Sequence, residues 1–156
     1  MTTLAQYAAT CQSEGLVPIV EPEVSLDGNH DIETCKEVTR KVWKMQYEVL
    51  QQYGVMMEGM LFKPAMIVPG AEAPKEPAEK VAKYTLDVMK ECIPPTMAGI
   101  TFLSGGQSEE EATQHIQAMA EYMPDAPWNV SFSFARALQS SVLKIWGPAR
   151  RNREDP

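Results

Sequence analysis

Short apolar runs and longer amphipathic stretches alternate along this chain. Leu4, Tyr7, Ala8 and Cys11 fall at helical spacing and Gly15 follows where a helix stops, so the chain opens on a helix. Leu16 to Val20 is an apolar run ending in Glu21, Pro22 and Glu23, the pattern of a buried strand with two acids at its carboxyl end. From about Asp31 to Tyr53 the residues Cys35, Val38, Val42, Met45 and Val49 mark one apolar helix face, which predicts core packing, and Gly54 ends it. Met57 to Lys63 reads as a second strand closed by Pro64. A loop through Pro69 and Gly70 leads to a helix carrying Val81, Tyr84, Val88 and Cys92, which Pro94 and Pro95 end. Ala98 to Leu103 is the third strand. Ser104, Gly105 and Gly106 follow it, and Ser108 and Glu111 stand at capping-box spacing, so 108–122 is helical. Trp128 to Ser133 is the fourth strand, with Arg136 just beyond it. Ala137, Leu138, Ser141, Val142 and Ile145 make a last helix, stopped by Gly147 and Pro148.

Four strand-helix units with strands apolar on both faces predict an α/β fold with parallel strands. An open sheet and part of an eight-stranded barrel both fit, and a whole barrel needs about 250 residues. Glu21, Glu23, Lys63, Ser104 and Arg136 all fall at or just after the carboxyl ends of their strands. A shared rim of this kind is what a barrel active site requires, so the expected architecture is a partial (β/α)8 barrel over residues 1–147. Residues 148–156 are expected to be a disordered tail, with Arg150, Arg151 and Arg153 as its solvated basic cluster.

Composition narrows the functional classes. With 44% hydrophobic and 22% charged residues, the 156-residue chain suits one globular domain. A net charge of -7 argues against nucleic acid as a partner. No run approaches the roughly 20 apolar residues of a membrane span, and no basic stretch precedes an apolar one at the amino end, so a cytoplasmic setting without membrane contact is expected. Cys11, Cys35 and Cys92 form no close pair and read as reduced thiols, and the ten methionines read as core filler.

Lys63 closes an otherwise apolar strand, and partial desolvation of its ammonium group would favour the neutral amine that attacks a ketone. A lysine that snorkels to water or pairs with Glu58 fits the same run. Glu21 and Glu23 lie two apart in an extended segment, hence on one side, as proton transfer by paired carboxylates needs; a solvated strand end also fits. Ser104, Gly105 and Gly106 before a helix can offer backbone N–H groups to a phosphate, with the helix N-terminus adding positive potential, although an ordinary tight turn has the same residues. Arg136 is placed to grip a phosphate bidentately, or to form a surface ion pair. Asp27, Asn29 and Asp31 imitate a calcium loop, but Ile32 and Val38 stand where glycine and glutamate are needed, so the segment reads as a turn and helix cap. His30 and His115 have no partners at ligand spacing. No metal or cofactor is expected.

Four segments carry a family resemblance: LVPIVEPE at 16–23, EGMLFKPAMIVPG at 58–70, TFLSGGQSEEEA at 101–112 and SFSFARAL at 131–138. From about Leu4 to Trp146 the chain resembles class I fructose-bisphosphate aldolases. The resemblance implies a barrel enzyme, usually a homotetramer, that reversibly splits fructose 1,6-bisphosphate into dihydroxyacetone phosphate and glyceraldehyde 3-phosphate in glycolysis without a metal. By position it implies that Lys63 forms the Schiff base, Glu21 is the acid/base for imine formation and Glu23 orders the charged network beside them. It implies that Ser104, Gly105, Gly106, Ala135 and Arg136 bind substrate phosphate. Ala135 stands where the family usually has glycine: the N–H survives, but the methyl makes a positive φ less accessible.

The family's first four strands would bring an aspartate, further lysines and an arginine, and its carboxyl-terminal tail a functional tyrosine, none of which has a counterpart here. The chain is therefore expected to be a partial one, and turnover by it alone is not expected. Two other readings stand beside the aldolase: an incomplete half-barrel acting through protein contacts, and a Schiff-base barrel for another phosphorylated sugar.

Overall fold

The structure, a computed structural model, describes residues 1–147. The expected tail and its arginines lie outside the described residues. Helices α1 (Thr2–Ser13), α2 (Ile32–Gln52), α3 (Ala78–Cys92), α4 (Glu109–Tyr122) and α5 (Arg136–Trp146) alternate with strands β1 (Ile19–Val20), β2 (Leu61–Phe62), β3 (Gly99–Phe102) and β4 (Asn129–Phe132). The strands form one parallel sheet in chain order, with Val20, Phe62, Ile100 and Val130 in register across it. This is the α/β strand-helix series that the patterning predicts. None of the described helices is long and apolar enough to cross a membrane.

The core lies between the sheet and its helices. Val20, Phe62, Ile100 and Phe102 are fully buried, and Phe62 packs edge-on against Trp43 at 5.6 Å and beside Tyr47 at 5.1 Å, both from α2. The apolar stripe predicted for α2 is only partly its core face: Cys35 lies in the core and Val42 and Val49 pack against it. Ile32, Cys35, Thr39, Trp43, Gln46, Tyr47 and Leu50 are buried, whereas Val38 and Met45 are exposed. The helix has apolar residues on two sides, and the side with the large rings meets the sheet because ring burial removes the most apolar area from water.

The strands are shorter than the apolar runs that predict them. Leu16 and Val17 are exposed, and Pro18 has no N–H to place in the ladder, though its carbonyl accepts from the Leu61 N–H at 3.0 Å. Met57–Gly59 is a 3-10 turn instead of strand. Gln12 of α1 holds it: the Gln12 amide donates to the carbonyls of Met56 at 2.8 Å and Gly59 at 3.1 Å and accepts from the Met56 N–H at 2.9 Å. Nor are all strands covered on both faces, since β4, at the sheet edge, is exposed throughout and Ile19 of β1 is exposed as well. Helix α5 likewise buries only Ala137.

Local chemistry sets the helix starts. Asp31 caps α2 by accepting from the Thr34 N–H at 2.8 Å, which makes 27–31 a turn and cap as expected. At α4 the Ser108 hydroxyl accepts from the Glu111 N–H at 3.1 Å and Glu111 accepts from the Ser108 N–H at 3.0 Å, completing the predicted capping box. Ser108→Ala leaves both ends of this exchange weaker. We expect it to cost about 1 kcal/mol and to lower the melting temperature by about 2–4 °C in a thermal unfolding measurement.

Candidate active site

The carboxyl ends of the strands carry the polar residues. Ladder bonds continue past the assigned strands there: Lys63 N–H donates to Val20 at 2.8 Å, Leu103 N–H to Pro64 at 3.0 Å and Ser133 N–H to Phe102 at 2.8 Å. Side chains alternate faces along a strand. Since Val20, Phe62 and Ile100 point at the helices, the next residues, Glu21, Lys63 and Thr101, point the other way; Ser131 pairs with Thr101 in the register. These four form one row across the sheet.

Within that row Lys63 Nζ is 3.1 Å from Glu21 Oε1, with the Lys63 side chain only 20% exposed. The lysine pairs with Glu21, and Glu58 is not an ion-pair partner among the described residues. Thr101 and Ser131 are the members that the sequence did not single out, and Thr101 is the more telling. Its hydroxyl is buried without a hydrogen-bond partner among the described residues. The available signal is a lone hydroxyl inside the apolar run Gly99–Phe102, one strand over from the lysine.

The second cluster surrounds the glycine pair. Gly105 has φ 58° and Gly106 φ 82°, and the Gln107 N–H donates back to Ser104 C=O at 3.1 Å, so residues 104–107 form a turn with both central residues left-handed. A Cβ on Gly105 would sit 2.4 Å from Leu26 Cδ1, so a side chain there would have to push that leucine aside as well as adopt a left-handed φ. Neither glycine N–H is engaged among the described residues. Ser104 is buried behind them. Arg136 opens α5 and approaches the turn, its Nη2 lying 3.8 Å from where a Cβ on Gly106 would be. It forms no ion pair within 4 Å among the described residues, so the surface-pair alternative finds no partner there.

Glu23, Leu26, Gly105, Gly106 and Arg136 line one cleft of about 650 Å³. Glu21, Pro22 and Glu23 line an adjoining hollow against Leu4, Val38 and Val42, which shares Glu23 and Ser25 with the cleft; Lys63 lines neither. Ala135 caps α5 at φ −105°, so the position does not call for the positive φ that favours glycine. The first turn of α4 differs from expectation in its charge: it carries Glu109, Glu110 and Glu111, with Glu109 accepting from the Ser141 N–H at 2.9 Å. Those carboxylates oppose the positive potential of the helix end, so an anion here would rest on the glycine N–H groups and Arg136.

The arrangement offers an amine beside a carboxylate, a pair able to pass a proton, next to a pocket of free N–H groups and a guanidinium. A carbonyl compound bearing a phosphate satisfies both clusters. The family model described as "Glycolytic: Fructose-bisphosphate aldolase class-I" matches residues 1–155. Cytosolic fructose-bisphosphate aldolase 5 of Arabidopsis thaliana is 50% identical over 149 residues, covering 96% of this chain and 42% of that protein. Chloroplastic fructose-bisphosphate aldolase 2 of the same plant is 53% identical over 150 residues, 96% of this chain and 37% of its own length. A solved structure of fructose-bisphosphate aldolase from Plasmodium falciparum, in a ternary complex with TRAP and a small-molecule inhibitor, superposes with a TM-score of 0.91 at 44% identity, covering 97% of this chain and 44% of that one. The chain thus spans about two fifths of the length of these curated relatives.

Proposed function

Since the chain belongs to the class I fructose-bisphosphate aldolase family, we propose that it supplies the imine-forming lysine and one phosphate site of a fructose-bisphosphate aldolase. Lys63 as the neutral amine adds to the C2 carbonyl of fructose 1,6-bisphosphate. Glu21 has first taken the ammonium proton of Lys63; the proton released from nitrogen on addition goes to the carbonyl oxygen, and Glu21 then gives its own to the carbinolamine hydroxyl, which leaves as water. The resulting iminium draws the electron pair of the breaking C3–C4 bond while the C4 hydroxyl gives up its proton to solvent, so glyceraldehyde 3-phosphate departs and an enamine of dihydroxyacetone phosphate stays on the lysine. Protonation and hydrolysis release it, and every step runs in reverse for condensation. Ser104, Gly105, Gly106, Ala135 and Arg136 hold a substrate phosphate, and Glu23 holds the charge balance of the cleft between the two clusters.

The observation that carries this reading is the 3.1 Å approach of Lys63 Nζ to Glu21 on the rim that also bears the glycine turn and Arg136. The names of the relatives support an aldolase over a half-barrel that acts by contacts alone, and the cytosolic ones support a cytoplasmic setting. A homotetramer is the assembly that fits the family resemblance. Dihydroxyacetone phosphate with borohydride tests the reading: reduction should fix a covalent adduct visible in the intact mass, and glycerol 3-phosphate, which has no ketone, should leave none. An unmodified chain in both arms contradicts it.

Arg136→Met tests the phosphate site separately. Losing one charge-assisted contact of about 1.5–3 kcal/mol should weaken inorganic phosphate binding roughly 10- to 100-fold, read by titration calorimetry, with little change in melting temperature because Arg136 is exposed.

A further inference from the structure

Behind the glycine turn lies a buried polar chain that the imine chemistry does not use. Gln107 and His115 are both more than nine-tenths buried. The Gln107 Nε2 donates to the Ser104 carbonyl at 2.8 Å and to Met66 Sδ at 3.6 Å, leaving its Oε1 as acceptor; His115 Nδ1 lies within hydrogen-bond reach of that oxygen. Ser104 C=O therefore receives two donors from one residue, the backbone N–H and the side chain of Gln107. Gly105 and Gly106 line two spaces at once: the cleft with Arg136, and a smaller, partly open hollow with Gln107, His115, Lys75 and Glu111.

We infer that His115 is a positioning residue for the phosphate turn, acting through the Gln107 carboxamide on the Ser104 carbonyl. This deepens the reading above and rests on it for the identity of the anion. The direction of each bond is forced. Gln107 Oε1 can only accept, so the imidazole must carry its proton on Nδ1. Burial pushes the imidazole down from its usual range, against the opposing pull of Glu111, which keeps the ring neutral with a single N–H to give. Held this way, the carboxamide cannot rotate its oxygen toward Ser104, and the peptide preceding Gly105 keeps one orientation.

The test uses the isotopically labelled chain and inorganic phosphate as probe, following the Gly105 and Gly106 amide signals during titration and the exchange rate of the Gln107 amide without phosphate. His115→Leu removes the donor at similar bulk. It should speed Gln107 exchange and weaken phosphate binding, each about 5- to 10-fold, as one net hydrogen bond allows. His115→Asn offers Nδ2 where the imidazole offers Nδ1, and should restore both within about twofold. Gln107→Met should match His115→Leu or exceed it, and adding His115→Asn to it should cost nothing more. The inference is overturned if His115→Asn is as impaired as His115→Leu, if His115→Leu leaves both readouts unchanged, or, should that variant not fold, if Gln107→Met leaves them unchanged. If the unaltered chain leaves the glycine signals unshifted by phosphate, the phosphate reading of the site fails, and the Gln107 exchange rates alone decide the role of His115.

Discussion

Lys63→Met should abolish covalent capture of dihydroxyacetone phosphate while leaving the chain folded. The side chain that is lost contributes one ion pair with a 42% exposed carboxylate, and pairs of that kind are worth no more than about 1 kcal/mol. Methionine retains most of the apolar stem at similar length, so little packing is lost. The chemistry has no such substitute. An imine needs a primary amine within reach of the carbonyl and of a proton acceptor, and Lys36, Lys75 and Lys80, paired with Asp87, Glu111 and Glu76, do not line the cleft. After borohydride reduction the intact mass should show only unmodified chain, and thermal unfolding should move by less than about 4 °C. Adduct formation at the unaltered level in this variant would remove Lys63 from the mechanism.

The second large effect is on the scaffold of the cleft. Gly70→Ala should lower stability by about 3 kcal/mol, a fall of about 6–12 °C in melting temperature. A Cβ there would lie 2.3 Å from the Gly28 carbonyl oxygen and 2.8 Å from its carbon, both backbone atoms that no rotamer change can move aside. The strands of loop cannot simply part, because three bonds fasten them: Gly70 N–H to His30 at 2.9 Å, Ala71 N–H to Leu26 at 2.8 Å and Glu72 N–H to Gly28 at 2.9 Å. Leu26, fastened by this clamp, lies against Gly105, so the phosphate turn should loosen together with the loop. Gly54→Ala is the control. It has open space around it but φ 70°, so only the backbone cost of about 1 kcal/mol applies. Equal losses for the two variants in urea unfolding would contradict the steric account.

How much of this was legible in the residues depends on how local the cause is. The capping box of α4 follows from Ser108 and Glu111 alone, since both partners lie within one turn. Lys63 at a strand end beside acids was readable too, because strand order and alternation carry it to the rim. The 3-10 turn at 57–59 was not, as the bonds that hold it come from Gln12, more than forty residues earlier. The buried face of α2 turned on which of two apolar sides the sheet would take, and only the packing of Trp43 and Tyr47 on Phe62 decides that. His115 showed no ligand spacing because its partner is an amide, Gln107, whose role appears once the turn folds back on Ser104. Thr101 needed the register with Lys63 before its hydroxyl meant anything.

The most direct measurement is a peptide map of the unaltered chain after reduction with borohydride in the presence of dihydroxyacetone phosphate. The account predicts one modified peptide, containing Lys63, with Glu21→Gln slowing its appearance. A modification spread over Lys75, Lys80 and the other surface lysines, or one that spares Lys63, would contradict it.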